Sequence, residues 1–423
     1  MALIRKIEGI AFYLSVFLIS IQLGKHFWPD YAFVNGIRVD YLSPTIYLSD
    51  IFAVLFIVLH ILSSHKEFFR NISNSFILPL FLISILVSSF FARNLDASIY
   101  WSLKLSEVIL FGICVANYSF NKIKLHRFIN VLIIASLIQS AIVFFQFGPQ
   151  RSIGGLLYFL GERTFNLSTI GIATFNAHGQ ELLRPYGTFP HPNVLALFLS
   201  ISLLFLVFLI LNEKISKNIY FYIASASFVF IALLLTASRV IIFMTLVLVA
   251  ISFFRSKKIF MYTLLIIAAV FPFYLILFAG RILTIESLIS SAAIRLEFII
   301  LSLKIMQENL FFGVGLNNTF FEPDFRNLPI YARFQPVHNI YLLILLQIGL
   351  FGGISVFAFI FKIIRRVIFL IKDRRLFGYV IALLTIEILI VGLFDHFIIT
   401  LQQGLLMGAL ITGLLFNKSM GQA

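Results

Sequence analysis

The chain has 423 residues, 61% hydrophobic and 12% charged, which is about half the charge density of a soluble globular protein. A soluble enzyme is excluded. Unbroken apolar runs such as Val194 to Leu211 also exclude a transmembrane β-barrel, whose strands alternate over about ten residues. The chain therefore reads as all-α, a polytopic integral membrane protein. A net charge of +14 would point to nucleic acid in a soluble protein. Here it reports orientation, and no nucleic-acid partner is expected. Cys114 is the only cysteine and sits in an apolar run, so no internal disulfide or cysteine metal site can form.

Cutting the chain at its polar clusters predicts twelve transmembrane helices, at 7–23, 45–63, 75–92, 98–117, 128–147, 192–212, 219–237, 240–254, 259–280, 339–361, 376–394 and 397–415. The first follows Arg5 and Lys6 and lacks a small-residue cleavage site before Lys25, so it is expected to be a retained helix and not a signal peptide. No soluble domain is expected on either side, and residues 1–423 read as a single transmembrane domain. The seventh and eighth spans form one apolar run from Ile219 to Phe254, with Arg239 its only charge. As a single helix this run would reach about 54 Å, against a hydrocarbon core of about 30 Å. A turn is therefore predicted at Thr236-Ala237-Ser238-Arg239, which also keeps the guanidinium away from mid-membrane.

Lysine and arginine concentrate in cytoplasmic loops. With the amino terminus inside, the cytoplasmic segments hold most of the basic residues and only Glu8, Glu67, Glu213 and Asp373 as acids, whereas the outer segments hold both signs equally. Both termini are thus expected in the cytoplasm. Two outer segments are long, 148–191 and 281–338, so the working face is expected outside. The second carries an amphipathic stretch, Ile294 to Gln307, with Ile294, Phe298, Leu301 and Ile305 at helical spacing. It reads as an interfacial helix lying against the bilayer. No repeat relates the two halves.

Three polar segments stand out on the outer side: Arg184 to Asn193 (RPYGTFPHPN), Thr236 to Arg239 (TASR), and Asn309 to Asn317 (NLFFGVGLN) with Val337 to Asn339 (VHN). Arg184, Arg239 and His338 each fall at the outer end of a span. Two arginines at one face suit a phosphate-bearing lipid-linked substrate, because guanidinium binds phosphate through two hydrogen bonds and keeps its charge. Diphosphate leaves once its charge is neutralised, a task that fixed cations can perform without a metal. A histidine titrates near neutrality and can accept a proton from an attacking sugar hydroxyl. Each feature has a plainer reading: arginines at span ends bind headgroups, a histidine there can be interfacial, Pro190 and Pro192 flank His191 in any extended loop, and Gly313 and Gly315 mark a turn of close backbone approach without making a phosphate loop. Lys104 and Glu107 read as a self-neutralising pair, Gln139 and Gln146 as interhelical glue, and Glu387 as an acid in need of a partner. Glu322 and Asp324 form an acidic pair that a metal-dependent transferase would use, but two acids around a proline are common in loops. The outer histidines His26, His178, His191, His338 and His396 lack metal-ligand spacing, and no metal is expected.

These segments resemble the O-antigen ligase and polymerase family of undecaprenyl-diphosphate-dependent membrane glycan transferases. The resemblance covers about Arg184 to Phe351, the family's core region 184–351. It rests on R-P-Y-G-T-F-P-H-P-N at Arg184 to Asn193, S-R at Ser238 and Arg239, Arg295 ahead of G-V-G at Gly313 to Gly315, and H-N-x-Y at His338 to Tyr341 leading to G-L-F-G at Gly349 to Gly352. It implies a fold similar to membrane-embedded glycosyltransferases, no cofactor, and an inner-membrane enzyme whose active site faces the periplasm. By the same resemblance, Arg184, Arg239 and His338 are the catalytic candidates, with Arg295, His191, Asn193, Gly313, Gly315 and Asn339 as substrate-binding ones. The implied partners are an undecaprenyl-diphosphate-linked glycan donor, membrane lipids, and lipid A core or another glycan as acceptor. Ligase is slightly favoured over polymerase and protein O-glycosyltransferase. A lipid-linked glycan flippase or secondary transporter is the alternative of another class, although such proteins show paired halves and intramembrane charges or broken helices at mid-depth, whereas this chain has uneven outer loops and arginines clustered at one face.

Overall fold

Eleven of the twelve predicted spans coincide with helices in the computed structural model, which describes residues 2–73, 77–177, 179–212, 217–253, 285–326, 328, 334–373 and 375–419. The ninth span, 259–280, and His178 lie outside the described residues. The helices are α1 (Ala2–Leu18), α2 (Leu48–Ser73), α3 (Ile77–Phe90), α4 (Leu95–Asn117), α5 (Lys122–Phe147), α6 (Pro192–Asn212), α7 (Lys217–Leu235), α8 (Arg239–Phe253), α9 (Ile285–Glu308), α10 (Ile340–Lys372), α11 (Leu376–Phe394) and α12 (Gln402–Phe416). Six of the described helices are long and apolar enough to cross a membrane, and four further apolar helices are shorter. Several helices outrun their predicted spans, since hydropathy marks the apolar stretch while the helical hydrogen bonds continue beyond it.

Helix α6 forms the axis of the bundle. It is apolar on all sides, and every residue from Val194 to Ile210 is buried, as expected for a helix with protein on every face. Its neighbours include α5, α7, α8, α11 and α12. The predicted turn between the seventh and eighth spans is present: α7 stops at Leu235, Ala237 adopts a positive φ of 51°, and α8 restarts at Arg239. That tip meets the start of α6 at one end of the bundle, together with the segments after α1, α5 and α11. At the opposite end, Glu8 accepts a hydrogen bond from Ser63 at 2.8 Å and lies 2.8 Å from His60 Nδ1. Asn417 donates there to the carbonyls of Val115 and Tyr118, and the Tyr118 ring stacks on Phe12 at 4.8 Å. The first and last described helices are thus linked through Tyr118 at the end away from the tip.

Two sequence expectations are corrected. The apolar stripe of α9 does not face lipid: Phe298 and Ile305 are buried against Val314, Phe325, Leu343 and Leu346, with Ile294 and Leu301 packed beside them. Periodicity marks a buried face but not what buries it, and here Leu343 and Leu346 of α10 do so together with Val314 and Phe325. Helix α10, expected over 339–361, runs to Lys372 and breaks at Gly349 (φ 62°, ψ −169°). The G-V-G loop docks on this break, with Val314 N–H donating to the Leu346 carbonyl at 3.0 Å, Gly315 N–H to Gln347 at 2.9 Å, and Leu350 N–H to Leu310 at 2.9 Å.

The Gly349 backbone conformation is open essentially to glycine alone, at a cost of about 1–3 kcal/mol for other residues. A Cβ there would also meet the Phe311 backbone at under contact distance. Gly349→Ala should therefore lower the thermal midpoint of the purified protein clearly. An unchanged midpoint would show that the break is not held by this contact.

Candidate functional site

The loop leading into α6 is pinned before it delivers any functional group. Gln139 and Gln146, two turns apart on one face of α5, hold it like a pair of hands. Gln146 Oε1 accepts from the backbone N–H groups of Tyr186 (3.0 Å) and Gly187 (2.8 Å), and Gln139 Oε1 accepts from Thr188 N–H at 3.0 Å. Gly187 adopts a φ of 58°, and a Cβ there would strike Gln139 Oε1. The two glutamines expected as interhelical glue thus clamp a loop.

That clamp presents Arg184, which is only 5% exposed. Its Nε donates to the Thr236 carbonyl at 2.7 Å and its Nη2 to Asn193 Oδ1 at 2.6 Å. One guanidinium therefore ties the 184–193 loop to the tip between α7 and α8. Asn193, at the start of α6, is the hub: its Oδ1 also accepts from Ser238 Oγ at 3.1 Å, and its Nδ2 donates to Asp395 Oδ2 at 2.7 Å. Arg239 follows Ser238 as the first residue of α8 and is half-buried, at a helix end where the dipole favours anions.

Asp395 follows α11 and faces three imidazoles. Burial pushes its carboxyl up, but the neighbouring His396, His338 and His191 and the Asn193 hydrogen bond hold it below the usual carboxylate range, so it is ionised at neutral pH. His396 packs edge-on against the His338 ring, 4.9 Å away, and its Nδ1 lies 2.7 Å from Thr400 Oγ1. Burial drives the pKa of His396 well below its ordinary value. His338 is lowered for the same reason, with Asp395 opposing the shift and Arg295 adding to it. Its Nδ1 is buried and makes no hydrogen bond among the described residues, while its ring lies 5.9 Å from that of Phe298 on α9. A neutral imidazole with an uncommitted nitrogen, beside a fixed carboxylate and an arginine, is equipped to take a proton.

The arrangement brings together Arg184, Asn193, His191, His338 and Arg295, with Arg239 next to Ser238. It gives other roles to three candidates. Asn339 caps α10, its Oδ1 accepting from Tyr341 and Leu342 N–H at 3.0 Å each. Gly313 and Gly315 meet the α10 break and Ala92, so their glycine requirement is explained by packing. The acidic pair is occupied: Glu322 binds Arg93 through both oxygens, at 2.7 and 3.1 Å, and Asp324 lies 2.9 Å from Lys304. Among the described residues no group of His, Cys, Asp or Glu is arranged to hold a metal ion. Lys104 lies 3.3 Å from Glu107 as expected, and closer still, 2.6 Å, to Asp50.

Asp395 has no counterpart among the sequence expectations, and Glu387, expected there without a partner, belongs to a second polar layer about 10 Å deeper on the same three helices, two turns along each. There Glu387 of α11 accepts from Ser200 of α6 at 2.6 Å, and Thr245 of α8 donates to Ser200 at 2.7 Å. This layer fixes the relative heights of α6, α8 and α11, and hence the meeting of Asn193, Ser238 and Asp395 above it.

Residues 224–358, from within α7 to the middle of α10, match the family model described as O-antigen ligase. Over these residues the chain is similar to the O-antigen ligase family. The matched segment contains the Thr236–Arg239 tip, Arg295, the G-V-G loop and His338, whereas Arg184, Asn193 and Asp395 come from outside it and complete the cluster. The matched region thus contributes the tip and the histidine, and the flanking helices contribute their partners. No curated protein matches the chain.

Proposed function

We propose that the protein transfers a glycan from undecaprenyl diphosphate to an acceptor hydroxyl at the outer face of the cytoplasmic membrane, as an O-antigen ligase. The observation that carries this reading is the convergence of the Arg184–Asn193–Ser238 tie, Asp395 and a neutral His338 at one end of a membrane bundle. Arg239 and Arg295 neutralise the diphosphate as the bond to the glycan breaks, so the leaving lipid departs without protonation. His338 accepts the proton of the acceptor hydroxyl as that oxygen bonds to the sugar carbon. Arg184 and Asn193 hold the tip in register, and Asp395 stabilises the imidazolium that forms. His191, whose Nδ1 accepts from Asn193 N–H at 3.1 Å, extends the same cluster. The chemistry asks for no metal, and both termini lie on the cytoplasmic side, in keeping with the basic connections at the opposite end.

Deleting the gene and resolving cell-surface glycolipids on a gel tests the reading. Loss of the long ladder with polymer stranded on undecaprenyl diphosphate is the expected result, while core capped by a single repeat would make the protein a polymerase instead. Unchanged glycolipids would overturn glycan transfer altogether.

The histidine assignment also fixes the sign of a pH dependence. Because burial holds the His338 pKa below its ordinary value and the neutral form is the base, the acid limb of the rate should lie at lower pH than an ordinary histidine would give. Asp395→Asn removes a charge that favours the imidazolium and should move this acid limb to lower pH. Arg295→Gln removes one that disfavours it and should move the limb up. Single-turnover rates across pH for both variants measure this, and shifts in the same direction would detach the limb from His338.

A further inference from the structure

Between the hairpin of Phe33–Val34 and Ile37–Arg38 and the residue Phe334 lies an open cleft of about 390 Å³, lined by Ile37, Arg38, Val39, Asp40, Tyr41 and Phe334. Its back wall is the neighbour of the reacting cluster. The Tyr41 ring stands edge-on to His396 at 5.5 Å and 82°, and His396 in turn touches His338, so only two ring contacts separate the cleft from the proposed base. The wall is rigid. Asn35 and Gly36 turn the hairpin with positive φ values of 52° and 75°, Tyr41 stacks on Phe320 at 5.9 Å, and Asn317 Nδ2 holds the Tyr41 carbonyl at 2.9 Å.

The lining sets the class of ligand. Arg38 and Asp40 are 61% and 57% exposed and 3.9 Å apart, too weakly paired to hold each other against a ligand. Their charges cancel, so a diphosphate would meet as much repulsion from the carboxylate as attraction from the guanidinium. A sugar ring meets neither cost: its hydroxyls both donate and accept, matching one carboxylate and one guanidinium, and its C–H face can lie on the Phe334 ring. The volume falls in the range of small-ligand sites.

We propose that this cleft is a saccharide subsite that holds a sugar next to the bond being made, either of the donor glycan or of the acceptor. The proposal rests on the glycan-transfer reading. The full chain, with Trp101→Phe as the only background change, retains Trp28 as its sole tryptophan, and the Arg38 guanidinium lies 4.4 Å over that ring. Trp28 fluorescence therefore reports on anything that engages Arg38. The purified protein is titrated with two probes cut from lipopolysaccharide of the source cells by mild acid, the O-polysaccharide and the core oligosaccharide. A saturable change with at least one probe is expected, weakened about tenfold or more in Asp40→Asn and Phe334→Ala, as for loss of a charged hydrogen bond or a stacking face. Because the polysaccharide released by mild acid still carries core, response to the polysaccharide without response to the core oligosaccharide places donor sugar in the cleft, and response to the core oligosaccharide places acceptor sugar there. No response to either probe, or equal affinities in the variants, would overturn the subsite. Failure here with an intact effect of gene deletion on the ladder removes the cleft alone, whereas an unaltered ladder removes the transfer reading itself.

Discussion

His338→Ala should lower the single-turnover rate of glycan transfer by about 10² to 10⁴, the usual contribution of a positioned general base, while leaving donor affinity close to that of the unmodified protein. The expectation follows from where the ring sits. Its Nδ1 has no hydrogen bond among the described residues, and burial keeps the ring neutral. Asp395, which stands beside it, is ionised and tied to Asn193. The ring is thus prepared to gain a charge and has none to lend a phosphate. The residual activity of His338→Ala should also lose the acid limb of the pH profile, which a merely structural histidine would leave in place. If donor binding falls as far as turnover does, His338 is a phosphate ligand and the base must be sought elsewhere, with His191 and His396 the nearest imidazoles.

The fold was legible in the sequence to a degree that differed with the range of the interaction. The Thr236–Arg239 turn followed from chain length against membrane thickness alone, and the structure breaks the helix there. Gln139 and Gln146 were readable as sharing a helix face, since that needs only the helical repeat, but their partner was not, because the clamped loop lies some forty residues further on. Asp395 left no pattern at all: a lone acid at a span end has no spacing to recognise, and its partner Asn193 is 202 residues away. Glu387 posed the same problem, its Ser200 partner lying 187 residues off in another helix.

Glycine and amphipathic signals were misattributed for a related reason. The G-V-G segment announces close backbone approach, yet nothing local distinguishes approach to a phosphate from approach to another helix, and the structure supplies the break at Gly349 as the object approached. The α9 stripe likewise specified a buried face without naming the surface that covers it. Long-range polar contacts therefore decide this site, and they are the part that periodicity cannot reach.

The two arginines at the tip should respond differently to the same substitution, because Arg184 is buried while Arg239 is half-buried at the start of α8. In Arg184 two nitrogens point in different directions, to the buried Thr236 carbonyl and to Asn193 Oδ1. A lysine ammonium at the end of a flexible stem cannot reproduce that fork, so Arg184→Lys leaves a buried carbonyl unpaired at a cost of about 1–3 kcal/mol. The thermal midpoint and turnover should fall together, since the tip loses its register with α6. Arg239 is half-buried at the start of α8, where the helix dipole supports an anion. Arg239→Lys keeps the charge but loses the two-pronged contact, so donor affinity should weaken by about 10- to 100-fold, the equivalent of about 1.5–3 kcal/mol for a charged hydrogen bond, with the midpoint little changed. Thermal midpoints, donor binding and turnover measured side by side on the two variants separate these outcomes. An unchanged midpoint in Arg184→Lys, with donor binding alone reduced, would move Arg184 from holding the tip to holding the diphosphate. Unaltered donor binding in Arg239→Lys would place the diphosphate away from the start of α8.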